Sequence, residues 1–309
     1  MKLYLGIDGG GTKTKVCIID QSEKVIFENT SGPSSIDTVD NFTTMNNIRL
    51  AIKPFVNDNP DTVFTGVFSG LGGIVFQEDC LMVENQIRQL PQITQYTFLE
   101  ARNDMHNALY SSNHFDNGIT LICGTGMVAF GKNGKLTHKA GGWSYQEGEL
   151  GSGFNLGREA IRYCIRAYDN RYKIDNFAKE VAKAINLKEA SDIIAVAKNY
   201  HQDRTLTASL APIVTKHANL NNRYAKKIVD RATDELALAI KAVYKTLKFK
   251  ETTLVIVGSL GNADGYFKDK LHQKINKISD KINIIAPVID PALAAAKAAK
   301  YLSEETIWF

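Results

Sequence analysis

The stretch LGIDGGGTKT, residues 5–14, decides the fold. An apolar run, residues 3–9, leads into three glycines, and a second apolar run, residues 14–20, follows them at once. A Gly-rich loop that binds a dinucleotide or a Walker-type nucleotide normally opens a helix. Here the glycines lie between two strand-like runs, so the pattern predicts a β-hairpin.

The residue types in this hairpin favour a phosphate-binding turn beside a metal carboxylate. Glycines let the backbone come close to an anion with its N–H groups pointing at it. Thr12, Lys13 and Thr14 add hydroxyl and cationic donors, and Asp8 ends the first strand. A carboxylate there can hold Mg²⁺ directly or through water. The alternative is a plain hairpin with ordinary turn glycines; the length of the string favours the phosphate turn.

Length and composition predict a soluble globular protein. The chain has 309 residues, enough for one large or two ordinary domains, with 44% hydrophobic and 23% charged residues. The net charge is +4, and no cationic run accompanies it, so nucleic-acid binding is not indicated. We expect no signal peptide, because Met1 and Lys2 lead directly into a strand with no apolar h-region. We expect no membrane span, because no stretch approaches the roughly 18 apolar residues that a span needs.

The four cysteines are scattered along the chain, at Cys17, Cys80, Cys123 and Cys164. Their separation favours buried free thiols in a reducing cytoplasm. A metal site built from cysteine or histidine is disfavoured, because neither residue type clusters.

Periodicity and turn signals predict an α/β protein with a repeated order of elements. We expect a first domain over residues 1–114, with strands at 3–9, 14–20, 24–30, 62–69 and 96–99 and helices at 41–56, at 79–90 and from about residue 103. The second domain, residues 115–289, is predicted to have strands at 118–123, 127–131, 253–257 and 282–285, a tight turn at Asn133-Gly134 and a helical region over 154–247. A final helix, from Pro291 to about Leu302 and capped by Asp290, is expected to pack back on the first domain as part of residues 290–309. Two strand–turn–strand openings indicate a duplicated fold with a cleft between its halves.

Two further motifs stand where the strands of such a fold end. Gly124-Thr125-Gly126 follows an apolar strand at the position in the second half that the first turn occupies in the first half. Asn103-Asp104 lies at a strand-to-helix junction. There Asp104 is either a helix N-cap or the base that takes a proton from a substrate hydroxyl, and the nearby phosphate turns favour the base.

The stretch from Gly141 to Phe154 combines glycines, aromatic residues and acidic residues before a helix. Carboxylates that bind hydroxyls and aromatic faces that cover C–H surfaces are typical of carbohydrate sites. For Trp143 itself, packing into a core is the alternative.

These motifs resemble the N-acetylglucosamine kinase branch of the BadF/BadG-type ATPases, within the acetate and sugar kinase/Hsc70/actin superfamily. That branch typically shows Gly-Gly-Trp-Gly and then Gly-Asp-Glu-Gly-Ser before a helix. This chain has GGWS at 141–144 and GELGS at 148–152. The likeness covers most of the chain, including VGS at 257–259, similar to the adenosine motif, and PALAAA at 291–296, similar to the closing helix.

The resemblance implies a duplicated ribonuclease H-like (actin-like ATPase) fold, with two α/β domains flanking a nucleotide cleft. It implies ATP-dependent phosphoryl transfer to a hydroxyl of an amino sugar, most like N-acetylglucosamine, with ATP and Mg²⁺ as cofactors. We expect a cytoplasmic homodimer. The implied roles are metal binding for Asp8, catalysis and acceptor binding for Asp104, sugar binding for Gly142, Trp143 and Glu149, and nucleotide binding for Gly10, Gly11, Thr12, Lys13, Thr125, Gly126, Gly258 and Ser259.

The departures from the family pattern fall mainly on the sugar side. Gly32-Pro33-Ser34-Ser35 stands where the family has Gly-x-x-Asn. Glu149 and Leu150 replace the usual Asp-Glu pair, and Met127 follows the second Gly-Thr-Gly where Ser is usual. We therefore expect a relaxed or shifted acceptor preference.

Three other functions stay open. The first is a glucosamine kinase. The second is an ATPase that drives a partner protein; activators of that kind hold an iron–sulfur cluster between subunits with paired cysteines, which these scattered cysteines do not match. The third is a non-catalytic sugar sensor, against which Asp8 and Asp104 argue. The zinc-binding cysteine cluster of the repressor/kinase sugar-kinase branch is missing from the sequence.

Overall fold

The computed structural model of the protein describes residues 1–115, 117–144 and 149–306, without the side chains of His201 and Thr306. The chain forms two compact units. Unit 1 contains the residues up to Phe115 together with those from Pro287 onward, and unit 2 contains the residues between. Each unit has its own five-stranded sheet and its own hydrophobic core.

In unit 1 the sheet has the order β3-β2-β1-β4-β5. The first three strands form an antiparallel meander, and β4 and β5 run parallel to β1. The strands are β1 (Leu3–Gly9), β2 (Thr14–Asp20), β3 (Val25–Ser31), β4 (Gly66–Leu71) and β5 (Phe98–Asn103). The helices are α1 (Asn41–Asp58), α2 (Gln77–Ile87), α3 (Met105–Tyr110) and the C-terminal helix (Pro291–Thr306).

Unit 2 repeats this topology, with the sheet order β10-β9-β6-β7-β8. Again three antiparallel strands are followed by two strands parallel to the first. The strands are β6 (Asn117–Cys123), β7 (Met127–Asn133), β8 (Leu136–Gly141), β9 (Thr252–Val257) and β10 (Ile282–Ile285). The helices are α4 (Gly153–Tyr168), α5 (Asn176–Ala184), α6 (Ile193–Gln202), α7 (Arg204–Ala208), α8 (Ala211–Asn219), α9 (Arg223–Thr246) and α10 (Tyr266–Asn276). The predicted duplicated α/β fold is confirmed.

The C-terminal helix lies directly on the sheet of unit 1. Its alanines are fully buried, and a Cβ atom added at Gly6 of β1 would lie 2.2 Å from Ala292 O and from Ala296 N. Small residues on both elements therefore allow this close approach. Asp290 caps the helix as predicted, since its Oδ1 accepts the N–H of Ala292 at 3.0 Å.

Several predicted boundaries were wrong. β4 begins at Gly66 rather than residue 62, and α2 ends at Ile87 rather than residue 90. β5 continues to Asn103. Only alternate residues of this strand, Leu99 and Ala101, are buried, so a search for a continuous apolar run missed its second half. Glu100 and Arg102 on its other side form an ion pair at 2.7 Å.

In unit 2, β8 was missed because its sequence, LTHKAG, has no clear apolar alternation. The turn before it is at Gly134 and Lys135, with Asn133 still in β7. The predicted helical region is divided into six α-helices.

Across the part of the chain that the structure describes, no helix has both the length and the apolar character required to span a bilayer.

Candidate functional site

The first predicted phosphate turn closes the β1–β2 hairpin. The N–H of Gly10 donates to Lys13 O at 2.9 Å, while Gly11, Thr12 and Lys13 are exposed. No hydrogen bond from the N–H groups of these three exposed residues is found to any other described residue, so they are available to an anion.

The glycines of this turn serve close packing rather than unusual dihedral angles. None of the three has a φ in the left-handed region. A Cβ atom at Gly9 would lie 2.1 Å from Ser34 Oγ and 2.4 Å from Leu71 Cδ2. The main-chain oxygen of Gly10 accepts the N–H groups of Ser34 and Ser35, at 3.1 and 3.2 Å. The hairpin is thus held against the segment that follows β3.

Asp8 lies at the end of β1 and is held by Asn107 of α3. Asn107 is fully buried, and its Nδ2 donates to Asp8 Oδ1 at 2.8 Å and to Ile7 O at 3.1 Å. Burial raises the pKa of Asp8, the Asn107 hydrogen bond lowers it, and the carboxylate of Asp290 raises it further. Asn107 was not predicted from the sequence; its position one helical turn after Asn103-Asp104 was the available signal.

Asp104 follows β5 and is half-buried at the start of α3. Its side chain makes no helix-capping hydrogen bond. Asn103 instead accepts a hydrogen bond from the N–H of Met105 on its Oδ1 at 3.0 Å, and its Nδ2 donates to Ile74 O at 2.8 Å. Burial, and then the negative charges of Asp8 and Asp37, raise the pKa of Asp104 to about 6. The helix-capping role that the sequence left open for Asp104 is therefore filled by Asn103.

Asp37 is a further carboxylate that the sequence reasoning missed. Ser35, which stands where the family has Asn, is buried and donates its hydroxyl to Asp37 Oδ1. A Cβ atom at Gly72, just after β4, would lie 2.4 Å from Ser35 Oγ and 3.6 Å from Asp104 Oδ2. Ser35, Asp37 and Asp104 thus gather at the edge of the sheet where the parallel strands β1, β4 and β5 end, which is where ligands bind in open α/β sheets.

The donors at this edge fit a magnesium ion. Asp8 accepts the Asn107 hydrogen bond on one oxygen, and its negative charge raises the pKa of Asp104, a repulsion that a divalent cation would relieve. Among the described residues, no group of three or more histidine, cysteine, aspartate or glutamate side chains is placed to hold a metal ion. Mg²⁺ usually keeps several waters and binds one or two carboxylates together with substrate phosphates, so such a group is not required.

Lys15 connects this edge to the C-terminal helix. It forms ion pairs with Glu28 at 3.0 Å and with Asp290 at 3.1 Å, and it is paired in register with Asp8 across the hairpin. Asp290 therefore caps the helix with one oxygen and binds Lys15 with the other.

In unit 2, the second predicted phosphate turn is attached to the start of α4. The N–H of Gly153 donates to Gly124 O at 2.7 Å, and the N–H of Phe154 donates to Thr125 O at 3.1 Å. Thr125 is exposed. Ser152 caps α4 by accepting the N–H of Asn155 at 3.1 Å. The positive end of the helix dipole thus lies beside this turn.

Gly258 lies beside the same turn, at the end of β9. Its φ is +103°, and a Cβ atom there would lie 2.4 Å from Cys123 O. Thr125 and Ser259 both line an open cleft of about 800 Å³. The sequence did not indicate its other walls, which come from α7, α8 and the segment after β9: Thr205, Ala208, Ser209, Ala211, Pro212, Thr215, Leu260 and Ala263.

Glu149 is held by Arg204, a residue that nothing in the sequence indicated. Arg204 Nη2 lies 2.7 Å from Glu149 Oε2, and the Glu149 side chain is only 6% exposed. Both side chains lie against Gly126, since a Cβ there would be 2.1 Å from Arg204 Nη2 and 2.8 Å from Glu149 Oε2. The carboxylate thus borders the second phosphate turn.

Gly142 and Trp143 lie at the end of β8, where Gly141 and Gly142 have φ values of +77° and +66°. Trp143 is 68% exposed, so it is not a core residue, and Lys139 Nζ lies 3.9 Å from its ring centre. Burial lowers the pKa of Lys139. The next part of this loop, residues 145–148 with Gly148 of the quoted motif, lies outside the described residues, as do residues 307–309 of the predicted final helix.

Within each unit, the structure therefore brings together most of the predicted residues. Asp8, the first turn and Asp104 share one edge of unit 1. Thr125, Gly126, Glu149, Gly258 and Ser259 share one edge of unit 2, with Gly142 and Trp143 following β8.

Comparison with known proteins adds an independent line of evidence. A family model described as the BadF/BadG/BcrA/BcrD ATPase family matches residues 5–299. An N-acetylmuramic acid/N-acetylglucosamine kinase from Clostridium acetobutylicum is 27% identical over 309 residues, covering 97% of this chain and 99% of that one. An N-acetyl-D-glucosamine kinase from Dictyostelium discoideum is 26% identical over 313 residues, covering 96% and 98%.

Solved structures share the fold. One, from Chromobacterium violaceum and assigned as an N-acetylglucosamine kinase, superposes with a TM-score of 0.75 at 20% identity and covers 97% of this chain and 99% of its own. A glucokinase of the ROK family from Streptomyces griseus, solved with glucose and AMPPNP, has a TM-score of 0.58 at 13% identity and covers 97% and 99%.

Proposed function

Since the chain belongs to the BadF/BadG/BcrA/BcrD ATPase family, we propose that it is an ATP-dependent kinase that phosphorylates a hydroxyl of an amino sugar, N-acetylglucosamine or a close relative such as glucosamine. The observation that carries this proposal is Asp104. Its carboxylate makes no capping hydrogen bond and has a raised pKa, and it lies at the strand ends with Asp8 and the first phosphate turn. The names of the curated relatives support the acceptor class.

In this mechanism Asp104 accepts the proton of the acceptor hydroxyl as the hydroxyl oxygen attacks the γ-phosphorus of ATP. The bond from that phosphorus to the β,γ-bridging oxygen breaks, and ADP leaves. A base with a pKa near the working pH is suited to this transfer. Phosphoryl transfer otherwise needs positioning and charge stabilisation. The N–H groups of Gly11, Thr12 and Lys13, with the Lys13 ammonium, would supply both.

Asp8 would hold Mg²⁺, with Asn107 fixing the orientation of its carboxylate through the 2.8 Å hydrogen bond. The ion would neutralise charge on the phosphates when bound. The Asn107 hydrogen bond occupies only Oδ1 of Asp8, so the carboxylate can supply a ligand to an ion whose other ligands are water and phosphate oxygens.

The nucleotide would also use the cleft in unit 2. Thr125 and Gly126 would face phosphates beside the start of α4, where the positive end of the helix dipole favours an anion. Gly258 and Ser259 would face the adenosine, against the apolar and hydroxyl-bearing walls supplied by α7 and α8.

The acceptor is assigned to Gly142, Trp143 and Glu149. An exposed Trp on a glycine turn offers a flat apolar face, and Glu149 offers a carboxylate held in place by Arg204. We further propose that the protein works in the cytoplasm and with Mg²⁺. We also propose that it is a homodimer, and light scattering on the purified chain would test this oligomeric state.

The competing function, an ATPase that drives a partner through a shared iron–sulfur cluster, is disfavoured by the cysteines. All four are free and buried, as predicted. Burial raises the pKa values of Cys17, Cys123 and Cys164 to about 12, which opposes the thiolate form that ligates iron.

A coupled assay of ADP formation, run against a panel of hexoses and amino sugars, tests the proposal. We expect slow hydrolysis without sugar and strong stimulation by N-acetylglucosamine or glucosamine, with one phosphorylated sugar formed per ADP. Fast hydrolysis that no sugar changes would support the partner-driving ATPase instead.

The pH dependence should report Asp104. Because its pKa is raised to about 6, the carboxyl is protonated below that pH and cannot accept a proton. We expect kcat/KM for the acceptor to fall tenfold per pH unit on the acid side of about pH 6. Asp37→Asn removes one of the charges that raise this pKa, so it should move the acid limb to lower pH. If Asp37→Asn leaves the acid limb of the pH profile where it is in the parent protein, the limb does not report the ionisation of Asp104.

Glu149→Gln should affect the acceptor more than the nucleotide. The amide keeps the shape but loses the charge that pairs with Arg204 and that would accept sugar hydroxyls. We expect the acceptor KM to rise by about tenfold or more and the ATP KM to change far less. Titrations of both substrates on this variant decide the point, since equal effects on the two KM values would place Glu149 in the phosphate turn alone.

A further inference from the structure

A second cavity in unit 2, of about 780 Å³, lies between α4 and α9. It shares no lining residue with the cleft that contains Thr125 and Ser259. None of the residues assigned above to nucleotide, metal or acceptor lines it. Leu150, the residue after Glu149, lies at one side of it.

The cavity carries an excess of positive charge. Four cationic side chains line it, against two carboxylates. Arg162 is paired with Glu159. No salt bridge is found for Arg166, Lys227 or Arg231 within the described residues. Four cations against two carboxylates leave an excess of two positive charges around the cavity, which favours an anionic ligand.

The spacing of these residues explains why they meet. Glu159, Arg162 and Arg166 are three and four residues apart on α4, and Lys227 and Arg231 are four apart on α9. Residues at these intervals share one face of a helix, so each helix turns a charged face to the cavity.

Tyrosines also line the cavity. The ring centres of Tyr172 and Tyr224 are 4.9 Å apart, and Tyr224 also packs on the buried Tyr163 at 4.5 Å. Asn222, which caps α9, donates to Asp175 Oδ2 at 2.6 Å and so connects the start of α9 to the start of α5. Packed rings of this kind are a rigid surface that suits the C–H faces of a sugar, and Glu235 adds a carboxylate without a salt bridge in the described chain.

We propose that this cavity is a second ligand site, which binds a phosphorylated sugar. The arginines and Lys227 would hold the phosphate, the tyrosines the ring, and Glu235 a hydroxyl. The argument rests on the lining of the cavity itself and not on the proposed kinase activity. Leu150 lines the cavity and directly follows Glu149 in the chain, so a ligand bound in the cavity would affect the position of Glu149.

Calorimetric titration of the full chain without nucleotide tests this site, with N-acetylglucosamine 6-phosphate, N-acetylglucosamine and inorganic phosphate as the probes. We expect saturable binding of the sugar phosphate, at least about tenfold tighter than that of inorganic phosphate. Lys227→Glu/Arg231→Glu should weaken it by at least about tenfold. Lys241→Glu/Lys245→Glu is the matched control, with the same charge change on the same helix at residues that do not line the cavity, and it should bind normally.

Each remaining outcome contradicts the proposal. Equal binding by both double variants would place the ligand elsewhere, for example where a reaction product binds. Equal affinity for inorganic phosphate and sugar phosphate would show that the cavity binds anions without recognising a sugar. Absence of binding by the parent chain would show that the cavity is not a ligand site. Thermal unfolding of the variants confirms that they are folded. Kinase activity is measured separately, so an inactive protein that still binds the sugar phosphate would overturn only the proposed function.

Discussion

Asp104→Asn should lower turnover by roughly 10²–10⁴-fold, the usual range for loss of a general base. The amide has the shape of the carboxyl but cannot accept the hydroxyl proton. The nucleotide contacts proposed for the two phosphate turns involve other residues, so the affinity for ATP should stay nearly unchanged. Steady-state kinetics and nucleotide titration on the same preparation measure both quantities.

The same substitution should not destabilise the fold. A carboxyl whose pKa is raised to about 6 by burial and by neighbouring carboxylates contributes stability only while protonated, and that contribution is lost as the pH rises through this value. At neutral pH the ionised Asp104 is therefore a cost, and its replacement by Asn should raise the free energy of unfolding by up to about 3 kcal/mol.

Asp40→Asn is the matched control. Asp40 caps α1 in the same unit by accepting the N–H of Thr43 at 2.7 Å, a role in which Asn and Asp are nearly equivalent. It should leave both turnover and stability almost unchanged. Near-normal turnover of Asp104→Asn would show that Asp104 is not the base, and a loss of stability would show that its carboxylate holds the fold.

Among glycine-to-alanine substitutions in unit 1, Gly6→Ala should lower the free energy of unfolding the most. Its Cβ would lie 2.2 Å from two main-chain atoms of the C-terminal helix, Ala292 O and Ala296 N, and a helix backbone cannot move aside as a side chain can. Overpacking typically costs about 1–3 kcal/mol and sometimes more, and we expect the upper end or beyond. Urea unfolding monitored by circular dichroism measures it.

Gly10→Ala is the control for this substitution, because its Cβ would meet nothing nearer than Lys13 O at 3.8 Å. Its unfolding midpoint should match that of the parent. A Gly6→Ala midpoint equal to that of Gly10→Ala would mean that the helix is not seated on β1 as described. The contact matters for the site because Asp290, which begins this helix, also binds Lys15 beside Asp8.

Much of the architecture was predictable because it depends on local patterns. The β1–β2 hairpin and its repetition as β6–β7 follow from apolar runs of strand length separated by glycine turns, and the strands at 252–257 and 282–285 follow from short apolar runs of their own. The cap of the C-terminal helix follows from Asp-Pro at its start. Where the apolar pattern is weak, as in β8 and the second half of β5, prediction failed, because those strands are held by backbone pairing with their neighbours.

By itself the sequence determined the repeated order of α/β elements apart from β8, the positions of the two glycine turns and the candidacy of Asp8 and Asp104, since each depends on residues close together in the chain. Only the tertiary structure decided which distant side chains meet them. Asn107 reaches Asp8 across 99 residues, and Arg204 reaches Glu149 across 55. Asn103 caps α3, so Asp104 makes no capping hydrogen bond. Such contacts depend on how strands and helices pack, and a single sequence carries no local signal for them.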